Sequence, residues 1–207
     1  MGKLNNTKEA QLEQNLIDLL CARHGQWTFR PDLKTEEDLW NNLRTIIEIR
    51  NKSELNDNAL TDSEFERIQS EILAKTKTPF EAAKWLRGEK GKCSIVLERD
   101  NGLGRIELVI YSSNEKNGGF SSYEVVHQIA KSKSNLEERN RRFDVTLLIS
   151  GLPIIQIELK TAIAKDGVKQ AYYQIEKYID EGTFSNTIFQ TLQLYVMSNE
   201  QTTRYKI

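Results

Sequence analysis

Cysteine is nearly absent from this chain, with Cys21 and Cys93 the only two among 207 residues. They lack zinc-type spacing and are too few for a disulfide scaffold. Histidine is as sparse: His24 and His127 read as ordinary loop or core residues, which leaves no basis for a His-built metal or acid–base centre. No apolar run approaches the ~20 residues needed to cross a bilayer. The opening MGKLNNTKEAQLEQ lacks the apolar stretch of a signal peptide. Repeats and low-complexity tracts are missing too. A reduced, cytoplasmic setting with no membrane contact is the expectation. Charge of one sign is also lacking: the net value of −1 excludes a protein that grips nucleic acid by bulk electrostatics.

What is present is an ordinary globular composition, 38% hydrophobic and 29% charged. The length suffices for one domain with a real core. Charge is unevenly spread. Between Lys131 and Lys177, nine basic residues face six acidic ones, so this stretch is +3 and the remainder −4. By itself that skew is a weak sign of a phosphate-facing surface.

Helical periodicity dominates the first part of the chain. Leu12, Leu16, Ile17 and Leu20 share one stripe of a helix over Thr7–Leu20. Thr35-Glu36-Glu37-Asp38 resembles a capping box that opens a second helix, with Leu39, Leu43, Ile46 and Ile47 inward. A third helix is predicted over Asp62–Ala74, and a short one after Pro79, a residue suited to a first helical turn. Composition then switches to strands. Ser94–Leu97 and Arg105–Tyr111 flank an Asn101-Gly102 turn and predict a hairpin. Asn117-Gly118-Gly119 reads as a loop, Tyr123–Ile129 as a strand, and Lys131–Asn140 as an exposed connection. Strands Phe143–Ile149 and Ile154–Lys160 bracket Ser150-Gly151-Leu152-Pro153; a helix over Gly167–Ile179 and a final strand over Leu192–Met197 follow.

The two strands around Gly151 carry the chemistry. Their odd positions (Phe143, Val145, Leu147, Ile149; Ile155, Ile157, Leu159) are all apolar, whereas the even ones turn polar at the far end with Asp144, Glu158 and Lys160. For both apolar faces to enter one core, residues of like parity must lie opposite each other. That requires a three-residue turn centred on Gly151, or an even turn with a bulge. Asp144 then sits beside Glu158 and Lys160. Acidic and basic residues two apart on a strand often form no more than an exposed ion pair worth under ~1 kcal/mol. Two carboxylates on one face, however, repel and call for a cation between them. A hard divalent ion suits grouped oxygens, Mg²⁺ foremost, with the Leu159 carbonyl as a further ligand and Lys160 to offset charge on a phosphate. On the following helix Gln170, Gln174 and Tyr178 line up at i, i+4 steps beside an apolar stripe of Ala171, Ile175 and Ile179. An amide and a phenol aimed at one spot can bond phosphate or steady a catalytic side chain.

These residues resemble a known family. Arg142-Phe143-Asp144, then Gly151-Leu152-Pro153-Ile154-Ile155-Gln156-Ile157-Glu158-Leu159-Lys160, then Gln174-x-x-x-Tyr178 are similar to the N-terminal nuclease region of type I restriction endonuclease R subunits, members of the PD-(D/E)xK nuclease superfamily. Glu9, Glu13, Leu16 and Ile17, and the run Tyr123–Gln128, also look like family features. The resemblance implies an α/β restriction-endonuclease-like fold with a central mixed sheet flanked by helices. It implies that Asp144 and Glu158 bind metal, that Lys160 is the catalytic lysine, and that Gln174 and Tyr178 form a motif tied to DNA handling. Glu13 is the candidate for the first-helix glutamate that many superfamily members use. Phe143-Asp144 stands where the superfamily name has Pro-Asp.

Family R subunits carry an ATP-driven DNA-translocating motor after the nuclease. Gly88-Glu89-Lys90-Gly91-Lys92-Cys93 has the wrong spacing for a phosphate loop. The expectation is therefore a single nuclease domain over residues 1–207, an N-terminal fragment of a longer chain. ATP would enter only through a motor absent here, and methylation and specificity subunits would be the partners. The expected function is Mg²⁺-dependent cleavage of double-stranded DNA without sequence choice. Competing readings are a free-standing repair or junction-resolving nuclease of the same fold and a silent DNA-binding or assembly module.

Overall fold

The structure, a computed structural model, describes residues 2–22, 25–112, 121–130, 142–162 and 166–207. In chain order the elements are α1 (Gly2–Leu20), β1 (Thr28–Phe29), α2 (Glu36–Arg50), α3 (Asp62–Lys75), α4 (Pro79–Arg87), β2 (Lys92–Glu98), β3 (Arg105–Ser112), β4 (Tyr123–Ala130), β5 (Arg142–Ile149), β6 (Leu152–Leu159), α5 (Gly167–Asp180), β7 (Leu194–Ser198) and β8 (Thr203–Lys206). The loop expected at 117–119 and the connection expected over 131–140 lie outside the described residues.

Local chemistry starts α2, α3 and α4 where the sequence predicts, whereas α1 begins at Gly2, five residues before the predicted Thr7. The Thr35 hydroxyl accepts from the Asp38 N–H at 3.1 Å, and the Asp38 carboxylate accepts from the Thr35 N–H at 2.8 Å, so two orphan donors at the start of α2 are satisfied reciprocally. Thr61 and Glu64 repeat the device on α3, and Pro79 occupies the first turn of α4 behind a Thr78 cap.

Six strands form one mixed sheet in the order β1-β4-β5-β6-β7-β8. Strands β4, β5 and β6 are successively antiparallel; β1 joins β4 and β7 joins β6 in parallel, and β8 closes the far edge antiparallel to β7. The predicted hairpin, β2–β3, stands apart as a two-stranded sheet. With helices flanking the central sheet, this is the α/β restriction-endonuclease-like architecture expected. Strands β1 and β8 went unread because two to four residues are too few for a period-2 pattern to register.

The β5–β6 turn resolves the two options for register. Ile149 pairs with Leu152, leaving only Ser150-Gly151 in the turn, both with positive φ (52° and 80°). A three-residue turn is thereby excluded. Like parity is restored by a bulge: Leu147 faces Ile155 but Leu148 faces Pro153. Gly151 is needed twice over, since a Cβ there would lie 3.0 Å from Ile46 Cδ1 and 3.1 Å from Leu43 Cα on α2. Strand β6 thus begins at Leu152, two residues earlier than predicted.

Both faces of the sheet are covered. Val145, Leu147, Ile157 and Leu159 pack with Val125 and with Ile17 of α1. On the other face Leu148 and Leu152 join the larger core with Leu43 and Ile47 of α2 and Ala171 and Ile175 of α5. The face that turns polar along β5 and β6 is withdrawn from water: Thr146, Gln156 and Glu158 are fully buried. Phe143 breaks the alternation. It packs against Phe189, Tyr178 and Phe184, with ring centroids 4.8, 5.4 and 5.5 Å away, next to a stretch of β4 where Gln128 takes φ 54°. Among the described residues, no helix is long and apolar enough to cross a membrane.

Candidate active site

The β5–β6 register sets Thr146 opposite Gln156 and ends with Val145 opposite Ile157; Asp144 and Glu158 come next along each strand, away from the turn. The Asp144 carboxylate accepts from the Leu159 N–H at 2.8 Å, so it replaces the backbone partner that β6 would otherwise seek there. Lys160 follows at the strand end, its N–H held by the Ser198 carbonyl of β7 at 2.9 Å. Its ammonium, largely buried, lies 4.0 Å from Glu9 on α1. Asp144, Glu158 and Lys160 are thus brought together where two central strands end and α1 passes over them.

Glu158 is held on both oxygens. Gln156 donates to Oε1 at 3.1 Å, and Gln174 of α5 donates to Oε2 at 2.6 Å. Gln174 also donates to the Tyr178 hydroxyl at 2.7 Å, and that hydroxyl donates to the Arg142 carbonyl at 3.4 Å. Tyr178 is buried, and it fills the place in the apolar stripe where Ile179 was expected; Ile179 is 39% exposed. Packing against Phe143 turns Tyr178 inward with Ala171 and Ile175. Gln174 therefore meets the Glu158 carboxylate. Gln170 is exposed.

Glu13, on α1, completes the acidic cluster. Gln128 donates to both of its oxygens at 2.8 and 2.9 Å, and His127 lies 3.8 Å away. Burial pushes the Glu13 carboxyl up to about 7, and the charges of Asp144 and Glu9 add to the rise. The Glu158 carboxyl is held well above its ordinary range, first by burial and then by the Asp144 charge. Asp144 is raised as well, by burial, although the Leu159 N–H and the Lys160 charge favour its ionised form. Glu13, Asp144 and Glu158 thus all resist ionisation, and the Lys160 charge opposes the rise in each. Among the described residues no three His, Cys, Asp or Glu side chains converge as a ready metal cage.

Thr146, Gln156 and Gln128 were not singled out as site residues from the sequence. For Gln156 a signal existed: two residues before Glu158 on a strand, it must share its face. Gln128 lies in the Tyr123–Gln128 run that resembles the family, but spacing gave no sign of its partner, because its reach to Glu13 depends on the left-handed backbone at that position.

Comparison with known proteins bears on the same residues. Residues 6–206 match the model of the family described as type I restriction enzyme R protein N terminus. The chain belongs to this family. Curated relatives agree. A type I restriction enzyme endonuclease subunit of Staphylococcus aureus (strain COL), SauCOLORF180P, is 30% identical over 176 residues, 85% of this chain and 17% of that protein. The SsaAORF53P endonuclease subunit of Staphylococcus saprophyticus is 30% identical over 173 residues, 84% of this chain and 17% of that protein. The EcoprrI endonuclease subunit of Escherichia coli is 40% identical over 105 residues, 49% of this chain and 31% of that protein. This R-protein N-terminal chain thus spans about a sixth of the length of its staphylococcal relatives. The match covers every element of the sheet that carries Asp144, Glu158 and Lys160.

Proposed function

We propose that this chain is the endonuclease domain of a type I restriction enzyme R subunit, a single domain over residues 1–207 that hydrolyses phosphodiester bonds of double-stranded DNA with a divalent metal ion. The observation that carries this reading is the meeting of Asp144 and Glu158 on adjacent strands, largely withdrawn from water, with one lysine beside them. A free-standing repair nuclease would need the same site, but the family match favours the R subunit.

The residues fit a hard divalent cation. Two largely buried carboxyls, both raised by burial and Glu158 also by the Asp144 charge, gain from a shared positive charge, and carboxylate and carbonyl oxygens are the donors Mg²⁺ prefers. Asp144, Glu158 and the Leu159 carbonyl would hold it. When bound, such an ion supplies Lewis-acid polarisation of the phosphodiester and activates water for attack. This chain's own side chains do the rest. Gln174 fixes the orientation of Glu158, and Tyr178 fixes Gln174 from the buried side. Lys160, beside both carboxylates, offsets negative charge that develops on the scissile phosphate. Sequence choice lies with the specificity subunit, methylation with a second partner, and ATP acts only through a motor region outside this chain.

Calorimetric titration with Mn²⁺ or Mg²⁺ tests the reading on this chain and on Asp144→Ala and Glu158→Ala. Binding to the unaltered protein that either substitution abolishes, with the fold retained by circular dichroism, is the expected result. No binding to the unaltered protein even with duplex DNA present, or binding indifferent to both substitutions, would overturn it.

A further inference from the structure

Gln156 is fully buried, points at neither solvent nor the apolar core, and is engaged at both ends. Its amide nitrogen donates to Glu158 Oε1 at 3.1 Å and to the Ile157 carbonyl at 3.2 Å. Its amide oxygen accepts from the Thr146 hydroxyl, directly across the β5–β6 pair, at 2.7 Å. A carbonyl can only accept, so the Ile157 contact settles which end of the amide carries the hydrogens. Thr146, also fully buried, locks the other end. The order Thr146, Gln156, Glu158 is therefore a directed chain. Each donor is committed, and the last hydrogen is presented to the carboxylate.

Glu158 receives this hydrogen on one oxygen while Gln174 supplies one to the other. Donors on both oxygens fix the plane of a carboxylate that could otherwise rotate about its terminal torsion. Burying a polar glutamine in a sheet core costs free energy unless it is fully bonded, and a Leu or Val would pack there without that demand. The arrangement is the kind of supporting shell that orients metal ligands, whose loss typically weakens affinity 10–100-fold.

We propose that Gln156, held by Thr146, is a positioning residue that orients Glu158 for metal binding. The inference rests on Glu158 being a metal ligand. Gln156 touches neither substrate nor reacting atoms; it acts through Glu158.

Mn²⁺ titration calorimetry and thermal melts of the metal-free protein test this on Gln156→Met, Thr146→Val and Thr146→Ser. Methionine keeps the length and apolar bulk of glutamine without the donor; valine keeps the shape of threonine without the hydroxyl; serine keeps the hydroxyl. Mn²⁺ affinity is expected to fall about tenfold or more for Gln156→Met, less for Thr146→Val, and to stay near the parent's for Thr146→Ser. The melting temperature of Gln156→Met should fall by a few degrees, because the buried Thr146 hydroxyl and Glu158 Oε1 lose their partner, with the protein still folded at the titration temperature. A parent that binds Mn²⁺ and a Gln156→Met protein that binds it within twofold would sink this inference and leave the metal site standing. A parent that binds no Mn²⁺ would remove the metal site and this inference together. Loss of affinity matched by loss of fold in Gln156→Met, with Thr146→Val folded and binding normally, would show a merely structural role.

Discussion

Glu13 illustrates how a carboxyl on an otherwise ordinary amphipathic helix becomes part of a site. Its neighbours along α1 give no hint of unusual chemistry; its proton affinity comes from burial beside Asp144 and Glu9. The sign of its effect on stability follows directly. An acid held at about 7 in the folded protein and near 4.5 when unfolded keeps its proton in the fold between those values. Its stabilising contribution is complete below pH 4.5 and is lost as pH rises through 7, a change of about 3 kcal/mol at most. Asp144 and Glu158 act in the same direction. His127, held below its usual 6.5 by burial, acts oppositely in the lower part of the window. The metal-free protein should therefore lose urea stability between pH 5 and 8, and Glu13→Gln should flatten that slope. An unchanged slope in the variant would show that Glu13 titrates normally. Such a shift cannot be read from a sequence, since it depends on which helix covers which strand end.

Among the elements, the β5–β6 hairpin carries the most consequence per residue. Its polar and apolar parities were legible, and with them the juxtaposition of Asp144 and Glu158; the choice between turn lengths was not. That choice falls to α2, whose Leu43 and Ile46 leave room for a glycine alone. Gly151→Ala should cost at least about 2 kcal/mol, combining a left-handed backbone with a backbone contact that cannot yield. A denaturant midpoint within error of the parent would contradict this. The start of α2 offers a milder control: Thr35→Ala removes one half of the capping box and should cost about 1 kcal/mol without affecting Mn²⁺ binding. On α5 the spacing Gln174-x-x-x-Tyr178 correctly put amide and phenol on one face. Which way that face points was decided by packing, with Tyr178 against Phe143 and Gln174 against Glu158.

Across the full chain the charge balance of −1 sets what the site can do unaided. Duplex affinity without sequence choice grows with the number of phosphates neutralised, and nothing in the composition supplies many. At physiological salt the isolated chain should bind duplex DNA no more tightly than about 10⁻⁵ M and cleave supercoiled plasmid weakly or not at all. Fluorescence anisotropy checks the affinity; a tight complex that survives raised salt would contradict it.

The starts of α2, α3 and α4 and the meeting of Asp144 with Glu158 followed from the chain alone, because caps, period-2 alternation and strand parity are properties of neighbouring residues, and the class of fold followed from the family resemblance of its motifs. Burial of the polar face of β5 and β6, the left-handed Gln128 that delivers Glu13, and the lock of Thr146 on Gln156 arose only from tertiary structure. Each depends on contacts between segments far apart in sequence, and no local pattern records what will cover a strand once the sheet has closed over it.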